Sequence, residues 1–123
     1  MSENRGRSFH VAGSARLDIA GILKRSLREF GRDAAVRYRE LIRQALRDIE
    51  TEHEWPGSVE RPELMVRAAR TYHISLSRNR VPRHFVLYRR RPDGVIDVAR
   101  ILHDSCDLAR HIPEDFRRVG SGD

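Results

Sequence analysis

The sequence predicts an α+β fold: an N-terminal strand, then an antiparallel helical hairpin packed on a four-stranded, mostly antiparallel sheet. Three observations predict it. An apolar seam of helical period runs through Ala34, Tyr38, Leu41, Ile42, Ala45, Leu46 and Ile49. A second seam, at Ile19, Ile22, Leu23, Leu27 and Phe30, ends just before it, so the two helices must lie antiparallel. Beyond them the period changes to two, over Thr71–Leu76, Arg83–Arg89 and Val95–His103, and helices grouped apart from strands mark the α+β class.

Each element has its own local reason. Residues 1–7 are polar and aperiodic and are expected to be disordered. Ser8–Ala12 is expected as a short strand with Phe9 and Val11 on one face. Ser14 is the expected N-cap of a first helix over Ser14–Phe30, and Gly31 stands where that helix must stop. Asp33 is placed to cap a second helix over Asp33–His53, whose flanks and far side carry Arg37, Arg39, Glu40, Arg43, Arg47, Asp48 and Glu50. Trp55-Pro56-Gly57 and Pro62 then break the chain.

Pro92-Asp93-Gly94 is a turn signal between two alternating runs, so Arg83–Arg89 and Val95–His103 should form an antiparallel hairpin in mid-sheet. Strict alternation puts Ile96, Val98, Arg100 and Leu102 on one face, and Val95, Asp97, Ala99, Ile101 and His103 on the other. A short helix over Asp107–His111 and Pro113 close a single domain at residues 8–113, ahead of a flexible tail at 114–123.

At 123 residues the chain can bury a core without metal or disulfide help. The single cysteine, Cys106, excludes an internal disulfide and suits a reducing cytosol. No apolar run approaches membrane-span length, and the polar start lacks the apolar stretch of a secretory signal. Net charge is +6, and of the 24 lysines and arginines all but Lys24 are arginine. That skew follows genome composition as readily as function, so arginine position is more informative than arginine number.

The positions are uneven. Between Leu64 and Pro92 stand Arg67, Arg70, Arg78, Arg80, Arg83, Arg89, Arg90 and Arg91, with no acidic residue. Solvated faces ordinarily mix both signs, whereas a single-sign field over a sheet suits an anionic partner, either nucleic acid or an acidic protein segment.

Several chemistries fail on pattern. His103, Cys106 and His111, with Asp104 and Asp107, lie close in sequence, but one cysteine and no CxxC do not make a structural zinc motif, so no metal site is expected. Cys106 with His103 is a nucleophilic dyad only on paper. The glycines form neither GxGxxG nor GxxxxGK, which argues against a nucleotide cofactor. Cleavage of RNA by attack of its 2′-hydroxyl remains as an enzymatic option, since His73, His84, His103 and Tyr88 beside arginines offer a base, an acid and cations. His84 and Tyr88 share a strand face, and Phe85 and Leu87 take the other. One of those faces must meet the helical hairpin, which would bury half the set.

Ala15-Arg16-Leu17-Asp18-Ile19 opens the first helix with small residues and an acid, Phe30-Gly31 leads to Ala35 and Tyr38, and Pro56-Gly57-Ser58 precedes the sheet. Then come Tyr72-His73-Ile74-Ser75-Leu76, Phe85-Val86-Leu87-Tyr88-Arg89, Val98-Ala99, and Arg100-Ile101-Leu102-His103-Asp104 followed by Asp107-Leu108. In this order, from about Phe9 to Pro113, the chain resembles the RelE/ParE superfamily of toxins from bacterial type II toxin–antitoxin modules. The Arg100–Asp104 block resembles the ParE branch most specifically.

The resemblance implies a cytoplasmic plasmid-stabilisation toxin that inhibits DNA gyrase by trapping its cleaved-DNA state, without catalytic residues or cofactors. It also implies neutralisation by a cognate acidic antitoxin in a hetero-oligomer. The expected target and antitoxin surface comprises Arg70, Arg78, Arg80, Arg83, Arg89, Arg90, Arg91, Arg100, His103 and Asp107, with the segment His103–Phe116. The alternative within the superfamily is a RelE-like, ribosome-dependent mRNA endoribonuclease using His84, Tyr88, Arg89 and His103. Against it, the two alternating RelE lysines fall on His73 and Ser75, a RelE arginine falls on Phe85, and the terminal arginine and tyrosine fall near Ser105–Leu108, where neither type occurs. A third reading is an inactive member that only binds antitoxin.

Overall fold

A computed structural model describes residues 9–74, 84–104, 106–114 and 116. The order is β1 (Phe9–Val11), α1 (Gly13–Phe30), α2 (Arg32–Thr51), β2 (Val59–Glu60), β3 (Ala69–Ile74), β4 (His84–Arg90) and β5 (Ile96–His103). Single 3-10 turns lie at Pro62–Leu64, between β2 and β3, and at Leu108–His111, after β5, the latter replacing the short helix expected at Asp107–His111. The strands form one sheet in the order β1-β5-β4-β3-β2. β1 runs parallel to β5, and every other pairing is antiparallel. The α+β class and the hairpin on the sheet are as expected, but the sheet has a fifth strand. Two residues, Val59 and Glu60, are too few to leave a period-2 signal, and they pair with Thr71 and Arg70 inside the segment the sequence marks as a breaker.

Gly31 alone joins the two helices. Its φ of 94° is open to glycine and strained for other residues. Its N–H donates to the Leu27 carbonyl at 3.0 Å while its own carbonyl accepts from Ala35 N at 3.2 Å, so one residue ends α1 and starts α2. Asp33 therefore lies in the first turn of α2 instead of capping it. Ser14 is not a cap either: Ala12 occupies that position, and Ser14 Oγ donates to the Ala99 carbonyl at 3.0 Å, tying α1 to β5.

The main core lies between hairpin and sheet. Tyr38, Ile42, Ala45, Leu46 and Ile49 of α2 pack with Ala15, Ile74, Val86, Tyr88, Ile96, Val98 and Ile101. α2 follows its seam closely, although Leu41 is only half-buried. α1 does not: Ile19, Ile22 and Leu23 are partly buried, while Leu27 and Phe30 are 52% and 71% exposed. Their spacing fits a helix face, but the last turns of α1 find little cover among the described residues.

Strict alternation along β5 also fails. The register shifts by one residue, so that Leu87 pairs with Arg100 and Tyr88 with Val98, leaving Ala99 as a bulge. Ile96, Val98 and Ile101 consequently all reach the hairpin-side core. The opposite face of the sheet is covered as well. There Leu64, Val66, Ala69, Leu87, Ala99, Ile112 and Phe116 form a second cluster, with Leu108 against it. Chain from before β3 and after β5 thus closes the face that the hairpin leaves open.

Candidate partner-binding surface

The arginine-rich stretch does not form one uniform field. Arg67 and Arg90 are exposed, and Arg70 is half-buried, its guanidinium on Ser58 Oγ at 2.9 and 3.1 Å and on the Ser58 carbonyl at 3.4 Å. Arg91 pairs with Asp93 at 2.9 Å; this contact and the bond from Val95 N hold the Asp93 carboxyl below its ordinary pKa. Arg78, Arg80 and Arg83 lie outside the described residues, as do the end of the strand expected over Thr71–Leu76 and the start of the strand expected over Arg83–Arg89.

Arg89, expected on the contact surface, is only 2% exposed. Its Nη2 donates to Asp97 Oδ2 at 3.2 Å and its Nη1 to the Phe116 carbonyl at 2.7 Å. Phe116, which the sequence leaves in a loose tail, is itself buried, its ring centroid 4.5 Å from the guanidinium carbon. Asp97 also meets the exposed His10, Nδ1 to Oδ1 at 3.1 Å. A window free of acids says nothing about neighbours on the next strand, and Asp97 lies directly opposite Arg89.

Arg100 is likewise committed inside the fold. Its Nε and Nη2 grip Asp18 of α1 at 2.7 and 2.8 Å, and its Nη1 donates to the His111 carbonyl at 3.2 Å. The bond to Asp18 raises the guanidinium pKa above its ordinary value. His103 and Asp107 are exposed. Around them Asp107 meets Arg110 at 3.5 Å, the Asp107 carbonyl lies 2.9 Å from His111 Nδ1, and Cys106 N donates to the His103 carbonyl at 3.0 Å.

The four residues of the nuclease alternative separate into three environments. His84 and His103 are cross-strand partners with ring centroids 5.4 Å apart, and His84 Nδ1 lies 2.6 Å from the Tyr38 hydroxyl. Tyr88 is fully buried beneath the hairpin, where its hydroxyl donates to the His53 carbonyl at 2.5 Å and burial pushes its pKa up. Arg89 points into the cluster on the other face of the sheet.

A polar knot at the end of α2 escaped the sequence altogether. Tyr72 donates to Asp48 at 2.9 Å, and burial with that bond pushes its pKa up to about 12. Burial lowers the pKa of His53 nearby, against the pull of Glu54 at 3.5 Å. The Arg89–Asp97 contact had left a countable signal, because a tight turn at Pro92-Asp93-Gly94 puts these two residues opposite each other. The partners Asp48, Asp18 and Phe116 had left none.

Among the described residues no group of three or more metal-binding side chains occurs, and no helix is long and apolar enough to cross a membrane. Comparison with curated proteins finds no match. A family model described as the ParE toxin of the type II toxin–antitoxin system parDE matches residues 10–108, from β1 through β5 and into the 3-10 turn beyond it. The chain belongs to the ParE toxin family of type II toxin–antitoxin systems.

Proposed function

We propose that this chain is a cytoplasmic toxin that binds DNA gyrase and traps its cleaved-DNA state, and that a cognate acidic antitoxin neutralises it. Membership of the ParE family over residues 10–108 carries this reading. Dispersal of the nuclease set supports it. RNA cleavage needs a base, an acid and a cation around one phosphate, whereas Tyr88 is enclosed in the core and Arg89 lies on the far face of the sheet. The contact surface then consists of the exposed His103 and Asp107, the segment following them, and the exposed arginines.

Two features favour an acidic antitoxin with an extended tail. Arg67 and Arg90 are exposed cations that attract such a segment and speed its arrival. The sheet ends in the short strands β1 and β2, whose outer edges can take a further strand by main-chain bonding. Folding of a disordered tail onto the toxin would bury roughly 2,000 Å² or more.

One contact favours the RelE-like reading, that of His84 against His103. Brief expression of the chain separates the two, with the DNA-damage response and transcript integrity measured side by side. Gyrase trapping gives DNA damage with intact transcripts. Codon-phased transcript cuts without DNA damage would replace it by the nuclease, and no growth effect on antitoxin depletion would mark an inactive member.

A further inference from the structure

Two arginines of the sheet are built alike. Arg89 is anchored by Asp97 of β5, opposite it, and Arg100 by Asp18 of α1. Each then directs one remaining N–H at a main-chain carbonyl of the C-terminal segment, Arg100 at His111 and Arg89 at Phe116. The Phe116 ring lies over the Arg89 guanidinium, and Leu108 and Ile112 pack with Phe116 on the same apolar cluster.

We propose that Arg89 and Arg100 form a clasp that fixes residues 106–114 and Phe116 against the sheet, and that Arg89 is a positioning residue for the surface this segment presents to its target. The functional half rests on the gyrase-binding reading; the structural half rests on the geometry alone.

Three arguments support it. The donors are charged and the acceptors are carbonyls, so each bond is stronger than a neutral one and reads the path of the main chain instead of its side chains. Arg89 is 2% exposed, opposite Ala69 of β3 and under the Phe116 ring, both members of the second apolar cluster, so an apolar residue of similar size would pack there without desolvating a charge. Its Nε, moreover, has no hydrogen-bond partner among the described residues. An arginine held there at that cost is better explained by the contacts its Nη atoms make than by filling of the core. The clasp also separates roles within the arginine-rich stretch: Arg67 and Arg90 face solvent, and Arg89 faces the chain's own C-terminal segment.

The test compares the purified chain with its Arg89→Met, Arg89→Lys and Phe116→Ala variants. Hydrogen exchange is read over residues 106–116 and over β4 and β5, beside gyrase inhibition. In Arg89→Met and Phe116→Ala, exchange over 106–116 should rise by about tenfold or more while β4 and β5 stay protected. Arg89→Lys should fall between them and wild type, because it keeps a charged donor but loses the fork and the ring stacking. The loosened variants should lose gyrase inhibition by about tenfold or more.

Should Arg89→Met unfold the sheet, Phe116→Ala still decides the matter, since it removes one ring near the chain's end. Unchanged protection over 106–116 in Phe116→Ala and Arg89→Lys overturns the clasp. A loosened segment with undiminished gyrase inhibition overturns the positioning role. If wild type leaves gyrase untouched, the functional reading fails by itself and exchange alone judges the clasp.

Discussion

Asp18 of α1 and Arg100 of β5 are joined by two parallel hydrogen bonds of 2.8 and 2.7 Å, and the same carboxylate accepts from Ile101 N at 2.9 Å. They lie 82 residues apart in sequence, and the contact fastens the otherwise lightly buried first helix to the sheet. Asp18→Ala should lower the unfolding free energy by about 3 kcal/mol, because it leaves a partly buried guanidinium and a main-chain donor without their acceptor. A double-mutant cycle with Arg100→Ala, measured by urea denaturation, should return a coupling of about 1–3 kcal/mol. Zero coupling would mean that Ser14 and apolar contacts alone hold α1 in place.

The two helices should respond differently to truncation. Leu46 lies in the main core, and Leu46→Ala should cost about 2–5 kcal/mol through the cavity it leaves. Phe30 has the same helical periodicity but is 71% exposed, so Phe30→Ser should stay within about 0.5 kcal/mol. Equal losses in thermal unfolding would place the tip of the hairpin against something that folding covers.

Alkaline pH provides a test of the Tyr72–Asp48 contact. Ionisation of Tyr72 is pushed from an ordinary 10.0 up to about 12 in the folded chain. The folded state therefore holds this proton more tightly than the unfolded state does. Its contribution to stability is complete below pH 10 and is lost between about pH 10 and pH 12. Denaturant midpoints taken across that window should fall less steeply for Tyr72→Phe than for wild type. Parallel slopes would show that the phenol titrates alike in both states.

Charge reversal at the exposed Arg67 and Arg90 should slow association with the antitoxin. A loss of about tenfold in on-rate is expected at low ionic strength, narrowing as salt rises toward about 1 M, where screening acts over roughly 3 Å. Stopped-flow mixing across a salt series measures this directly. A defect independent of salt would mean that the two arginines make close contacts and do not steer.

The α2 seam, the Gly31 break and the β4–β5 hairpin were legible in the sequence because each depends on residues near one another along the chain. Period 3.6, a glycine free to adopt positive φ, and a Pro-Asp-Gly turn are local statements of backbone chemistry, and the structure follows them. The resemblance to the ParE family was legible for a related reason: it rests on the order of such local pieces.

Tertiary structure decided the rest. One extra residue at Ala99 turned Ile101 from its expected face into the main core, since a single bulge reverses every later side chain on its strand. Burial of Arg89 depended on Asp97 opposite it and on Phe116, 27 residues on, and no window around Arg89 contains both of its partners. An arginine count taken along the chain therefore gave the sign of the surface charge but not its location. Which arginines meet a partner and which hold the protein's own chain is fixed by register and packing, and these form only when distant segments come together.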